Sequence, residues 1–209
     1  MGHHTGGGRA AVVLAASVLI GGCALWPSSP DHFHPSAVEV PPAAAAVPGA
    51  DDDARLEWAA PEEYFVVIRR ACRTLDVYHF GDRIRTFPAV FGVAGSGRKL
   101  YEGDLRTPTG LYMIIDKRPH PRWREFLLLD YPNLEDRHRY WLAMEAGRIP
   151  ERGDRYAGLG GAIGIHGTDR PAVNRRDEDW TFGCISISNA DIEDLARLLP
   201  VGTLVLIED

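Results

Sequence analysis

At 209 residues the chain has room for one domain with extensions. A folded part of about 150 residues would bury about 70% of the surface its unfolded chain exposes, a core that needs no covalent staples. The composition, 45% hydrophobic and 25% charged, is that of a soluble globular domain, and a formal net charge of −6 argues against nucleic acid as a partner, because a phosphate backbone rewards a basic surface.

Residues 1–22 read as a signal peptide. Arg9 and the amino terminus make a weakly basic start, Ala10 to Ile20 is an apolar run, and Gly21 and Gly22 are small residues ahead of Cys23. The run falls short of the ~20 residues that a membrane-spanning helix needs, which favours a cleaved signal. Ile20-Gly21-Gly22-Cys23 resembles a bacterial lipobox, and the resemblance implies that Cys23 becomes the lipidated first residue of the mature protein. Residues 23–60 follow as a disordered tether. Pro27, Pro30, Pro35, Pro41, Pro42 and Pro48, the alanines at 43–46 and Asp51-Asp52-Asp53 leave little to bury. Proline-rich chain extends by about 3.1 Å per residue, so the tether reaches on the order of 100 Å.

Residues 61–209 carry the folded domain. Tyr64 to Ile68 reads as a buried strand, Leu75 to Phe80 and Arg83 to Phe91 as a meander turning at Gly81-Asp82, and Leu111 to Ile115 as a strand entered through the bend Pro108-Thr109-Gly110. Gly92 to Lys99 has the glycines of a phosphate loop, but no Ser or Thr follows the lysine, so it reads as a turn between strands. Lys117 to Arg124 reads as a solvated basic loop. Phe126 to Leu129 and Tyr140 to Met144 read as further strands, with a short helical or turn insertion over Asn133 to Arg139. Gly147 to Gly161 is a polar, glycine-rich loop that borders or covers a site. Ser188-Asn189 caps a helix running to Leu199 whose apolar face is Ile192, Leu195, Leu198 and Leu199, and Thr203 to Ile207 closes the sheet. The fold expected is mostly β, an antiparallel sandwich or open barrel with one helix in the C-terminal region.

The chemistry is concentrated between Ile165 and Ser188. His166 ends one apolar segment and Cys184 opens another that alternates as a strand does, through Ile185 and Ile187. Neighbouring strands would bring thiol and imidazole to one sheet edge, and an imidazole within reach turns a weak thiol into a nucleophile. Gly183 lets the backbone approach a substrate and turn an amide toward an oxyanion. Arg106 is a candidate for a substrate carboxylate. Trp180 and Phe182 suit a pocket wall as well as they suit the core. An exported chain could also join Cys72 to Cys184, though Cys72 reads better as packed. No close-spaced ligand pair supports a metal, and no cofactor is expected.

His166, a spacer, then Thr181-x-Gly183-Cys184-Ile185 resembles the signature of the L,D-transpeptidase catalytic domain, the YkuD-like family of cell-wall enzymes. Gly103-Asp104-x-Arg106-Thr107-Pro108-x-Gly110-x-Tyr112, Tyr131-Pro132-Asn133 with Asp136, and Val201-Gly202-Thr203-x-Val205-x-Ile207 resemble the same family, so the likeness runs from about Tyr64 to Ile207. It departs at Ser186, where many members have Arg.

The resemblance implies that Cys184 is acylated by a peptidoglycan tetrapeptide stem with loss of the terminal D-alanine. His166 would serve as base and then acid, the Gly167 carbonyl would orient its ring, and Gly183 would supply an oxyanion amide. Arg106, Thr181, Trp180, Phe182 and Ser186 would line the substrate site. The acceptor stays open: an amine of a second stem or of a wall protein gives transpeptidation, water gives a carboxypeptidase or endopeptidase, and loss of catalysis would leave a wall-binding lipoprotein. The place implied is the cell envelope, lipid-anchored, at the outer membrane and facing the periplasm; sequence does not give an oligomeric state.

Overall fold

One long strand sets the shape of the sheet. β4 (Gly110–His120) alternates exposed Leu111, Met113 and Ile115 with buried Tyr112 and Ile114, the period of a strand with one face in the core. Near its start it pairs antiparallel with β10 (Leu204–Glu208), and farther on it pairs antiparallel with β5 (Arg124–Leu129), with a register shift between Ile114 and Asp116. Such an irregularity bends and twists a strand, so β4 carries the sheet round a corner. In this computed structural model the described residues are 63–209; the signal peptide, Cys23 and the tether expected from sequence lie outside them.

On one side of the bend stand β1 (Tyr64–Arg69), β2 (Thr74–His79) and β3 (Asp82–Pro88), and on the other β8 (Gly164–His166) and β9 (Ile185–Ser186). The strand order is β3-β2-β1-β10-β4-β5-β8-β9. Just past β3, Val90 bridges Ser186 and Gly92 bridges Thr181, so chain leaving one edge lies against the opposite edge and the sheet curls into a half-barrel. The mostly-β expectation holds, with one refinement: β1–β10 and β8–β9 are parallel pairs, so the sheet is mixed. Parallel neighbours require a long crossover. For β8–β9 that crossover is the stretch containing α2 (Pro171–Asn174), and it separates His166 from Cys184 in sequence while the pairing keeps His166 on β8 beside the strand that Cys184 precedes. β10 does not close an edge; it inserts between β1 and β4.

The second correction concerns Tyr140 to Met144, which lies in α1 (Leu134–Glu145) rather than in a strand. Asn133 accepts from the Glu135 and Asp136 amides while the Asp136 carboxylate accepts from the Asn133 amide, a reciprocal cap that starts the helix. Tyr140, Ala143 and Met144 then fall on one face, against Ile149, Ala157, Leu100 and Tyr101. Lys117 to Arg124 is no loose loop either, because it holds the end of β4, a tight turn and the first residue of β5. Within the loop Gly147 to Gly161, β6 (Glu151–Arg152) and β7 (Arg155–Tyr156) make a small hairpin. The expected C-terminal helix is α3 (Asn189–Leu198), capped by the Ser188 hydroxyl, and Ile192 and Leu195 on its inner face are fully buried beside β5 and β8. Cys184 is a free thiol, so no Cys72–Cys184 disulfide forms.

Candidate active site

His166 is held from every side. It closes β8 opposite Ser186 of β9, and only 1% of its surface is exposed. Trp123, from the turn between β4 and β5, stacks on the ring at 4.2 Å between centroids, and His120 stacks on Trp123 at 4.3 Å. Phe126 lies nearly parallel to the imidazole at 5.9 Å, and Trp180 meets it edge-on at the same distance. Burial under these rings pulls the His166 pKa down to about 4, against a smaller opposing effect of the Gly167 carbonyl. The imidazole is therefore neutral at physiological pH.

The bond that orients it runs from Nδ1 to the Gly167 carbonyl, 2.6 Å away. A carbonyl can only accept, so Nδ1 carries the hydrogen and Nε2 is left with its lone pair. Gly167 must be glycine for steric reasons: a Cβ there would run into the Trp123 carbonyl and the Asn189 side chain. Its own amide donates to that Trp123 carbonyl at 3.0 Å, which ties the histidine strand to the turn carrying the stacked rings.

Cys184 lies immediately before β9, half-buried, one strand from the histidine. Its thiol donates to the Ala162 carbonyl at 3.6 Å, so among the described residues its hydrogen-bond partner is not the imidazole. Burial pushes the thiol pKa up, with the Gly164 backbone and Lys99 acting in the opposite direction. The contact with Ala162, the residue after the glycine-rich loop, also brings the end of that loop to the Cys184 thiol.

The turn that presents Cys184 is built by Thr181. Its hydroxyl donates to the Cys184 carbonyl at 2.7 Å and accepts from the Gly183 amide at 3.2 Å. Two expectations change as a result. Thr181 is buried and braces the turn instead of facing substrate, and the Gly183 amide is directed inward. The Cys184 amide has no acceptor among the described residues, which leaves it available as a donor to a bound group. Gly183 is still required, with φ of +137° and the Arg106 carbonyl 2.8 Å from where a Cβ would sit.

The remaining candidates divide between surface and interior. Phe182, two residues before Cys184, is 79% exposed, and Trp180 is half-buried against His166. Arg106 lies against the Gly183 turn through its backbone, its guanidinium reaches Gly97, and it makes no ion pair among the described residues, which leaves its charge available. Ser186 is 0% exposed and cannot touch substrate; its hydroxyl donates to the Gly167 carbonyl at 3.0 Å.

Sequence reasoning missed three contributors. Trp123 and His120 were hidden in a basic stretch that reads as solvated. Lys99, dismissed with the phosphate loop, forms a buried ion pair with Asp104 at 2.7 Å and lies within electrostatic reach of the thiol. Asp104 also accepts from the amides of Leu100, Tyr101 and Arg106, which explains the turn around Gly103-Asp104.

The family model of the L,D-transpeptidase catalytic domain, YkuD, matches residues 62–207, nearly all of the described chain. The chain belongs to this family. A Bacillus licheniformis protein whose name assigns it as an L,D-transpeptidase, YkuD, is 26% identical over 149 residues, 69% of this chain and 65% of that one. Among solved structures, the helical cell shape determining protein Pgp2 of Campylobacter jejuni superposes with a TM-score of 0.52 at 26% identity, over 70% of this chain and 47% of its own. An L,D-transpeptidase of Xylanimonas cellulosilytica matches at 18% identity and TM-score 0.45, over 69% and 60%. This member of the L,D-transpeptidase family thus spans about half the length of Pgp2 and just under two thirds of the Bacillus protein.

Proposed function

We propose that the protein is a cysteine acyltransferase of the cell wall, an L,D-transpeptidase that takes its acyl group from a peptidoglycan tetrapeptide stem. The observation that carries this reading is the free Cys184 thiol one strand from a neutral His166 whose Nδ1–H is committed to Gly167, leaving Nε2 as the base. Both groups are neutral at rest, so the proton leaves sulfur as attack occurs. Cys184 Sγ bonds to the carbonyl carbon of the third stem residue and its proton passes to His166 Nε2, while the Cys184 amide holds the oxyanion. The bond to D-alanine then breaks, His166 protonates the leaving amine, and a thioester remains. An amine of a second stem or of a wall protein attacks the thioester and gives its proton to His166, which returns it to sulfur. Phe182 and Trp180 form the wall on which the donor rests, and Arg106 pairs with a stem carboxylate.

The same proposal places the enzyme in the cell envelope, anchored through lipid on Cys23 at the outer membrane, with residues 23–60 as the tether that lets it reach the wall. Pgp2 is described as determining helical cell shape, and a part in cell shape belongs to this proposal too. The test is mass spectrometry of disaccharide-tetrapeptides after incubation with wild type and with Cys184→Ala. Cross-linked dimers with loss of D-alanine, absent with the variant, are expected. Tripeptide monomers alone would make water the acceptor, and activity surviving in Cys184→Ala would overturn the assignment of the nucleophile.

A further inference from the structure

The Gly167 carbonyl that orients His166 receives a second hydrogen bond, and the chain of bonds behind it has a fixed direction. Trp180 Nε1 donates to Asn174 Oδ1 at 2.9 Å, Asn174 Nδ2 donates to Ser186 Oγ at 3.1 Å, and Ser186 Oγ donates to the Gly167 carbonyl at 3.0 Å. An indole N–H can only donate, so it selects the oxygen end of the Asn174 amide and turns the nitrogen end toward Ser186. Having accepted from Asn174, the serine hydroxyl is free to send its own hydrogen to Gly167. There it meets the hydrogen from His166 Nδ1, and the two lone pairs of the carbonyl are filled. Every member of the chain is matched, and reversing any one of them would leave a buried donor facing a donor.

We propose that Asn174 and Ser186, directed by the Trp180 indole, are positioning residues that lock the Gly167 carbonyl and through it the rotation and tautomer of the catalytic histidine. Ser186 is fully buried on β9 and Asn174 ends α2, in the crossover between His166 and Cys184, so the lock ties the crossover to the base. The same Trp180 lies roughly perpendicular to the imidazole, 5.9 Å between ring centroids, so one side chain both starts the chain and walls the ring. This gives the serine a task in place of the arginine it replaces: it acts through His166, not on substrate. The inference rests on the acyl-transfer reading of the site.

Asn174→Asp reverses the direction. The carboxylate still accepts from Trp180 but now also draws the Ser186 hydroxyl hydrogen, which turns away from Gly167. Ser186→Ala removes the donor, and Ser186→Thr keeps it. The direct readout is long-range ¹H–¹⁵N NMR of histidine-labelled full-length protein, which reports which ring nitrogen carries the hydrogen without any substrate. Wild type and Ser186→Thr should show His166 protonated at Nδ1 alone, whereas Asn174→Asp and Ser186→Ala should show a mixed or averaged ring signal. For tetrapeptide turnover the two disrupted variants should lose about 10- to 100-fold in kcat with KM within about 2-fold, the scale expected when a catalytic group is misplaced by a fraction of a bond length. A His166 signal identical to wild type in a folded Asn174→Asp overturns the lock, as does equal loss in Ser186→Thr and Ser186→Ala. If the wild type turns over no tetrapeptide, it is the proposed function that falls, and the ring signals still decide for or against the lock.

Discussion

The two groups of the proposed dyad sit one strand apart and are held in opposite ways. His166 is enclosed by Trp123, Phe126 and Trp180, its carbonyl partner is doubly bonded, and its strand lies inside the sheet between β5 and β9. Cys184 is carried on a turn at the edge strand, half-exposed, braced by a single threonine and flanked by a phenylalanine that faces solvent. The difference teaches where rigidity is placed. In the proposed reaction the base works by geometry and must not rotate, which suits a place in the core, and the nucleophile has to meet its substrate, which suits a place at the rim. The cost of enclosing the imidazole is electrostatic, because burial resists the charge that the proposed mechanism would have it carry.

The sharpest way to break the comparison is to remove the rigid partner. His166→Ala should lower kcat for tetrapeptide turnover by roughly two to four orders of magnitude, the usual worth of a placed acid–base group. Retained turnover would mean that the thiol needs no base from this strand. Trp123→Ala should have the next largest effect. Truncating a packed tryptophan costs about 3 kcal/mol, to be read from the urea midpoint. It also lets water reach the ring, so the His166 pKa should climb from about 4 toward 6.5 and carry the acid limb of kcat/KM up with it. A limb that stays put would show that Trp123 is packing alone.

The same burial makes a prediction for stability against pH. The folded His166 stays neutral down to about 4, whereas the unfolded one takes a proton near 6.5. Between these values the unfolded state binds more protons, so stability rises with pH across that window and is lost as the pH falls through it, by up to roughly 3 kcal/mol at its lower end. Asp136, whose carboxyl is raised by burial, contributes with the opposite sign at the acid end. The difference between wild type and His166→Gln unfolding free energies, followed from pH 7 to 4, isolates the histidine. A difference that does not change with pH would sink the claim.

Much of this was legible in sequence for a physical reason: β1, α3 and the cap at Ser188 depend on periodicity and motifs that each lie within a few residues. What stayed hidden was long-range. Nothing local says that β10 inserts beside β1, or that Trp123 covers a histidine on another strand. The run Tyr140 to Met144 is apolar in a way that suits strand or helix, and the deciding signal, Asn133 reciprocated by Asp136, stands before it and uses aspartate where glutamate is commoner. Ser186 was read as a substrate contact because its position in the motif was known and its burial was not.

The smallest effect tests the looser partner. Thr181→Val keeps the shape of the side chain and removes both hydrogen bonds, leaving the Cys184 carbonyl and the Gly183 amide without their partner. Buried groups left unpaired cost about 1–3 kcal/mol, and the lower end is expected here because the turn lies at the rim, where water can replace one bond. Activity should move less than stability. The variant loosens the nucleophile but also releases the Gly183 amide, which can then join the Cys184 amide at the oxyanion, and the two effects oppose each other in kcat. Thr181→Ser keeps the hydroxyl and should match wild type in both measurements. A Thr181→Val protein as stable as wild type but a hundredfold slower would mean that the hydroxyl reaches the substrate after all, and that the rim is as tightly organised for chemistry as the core.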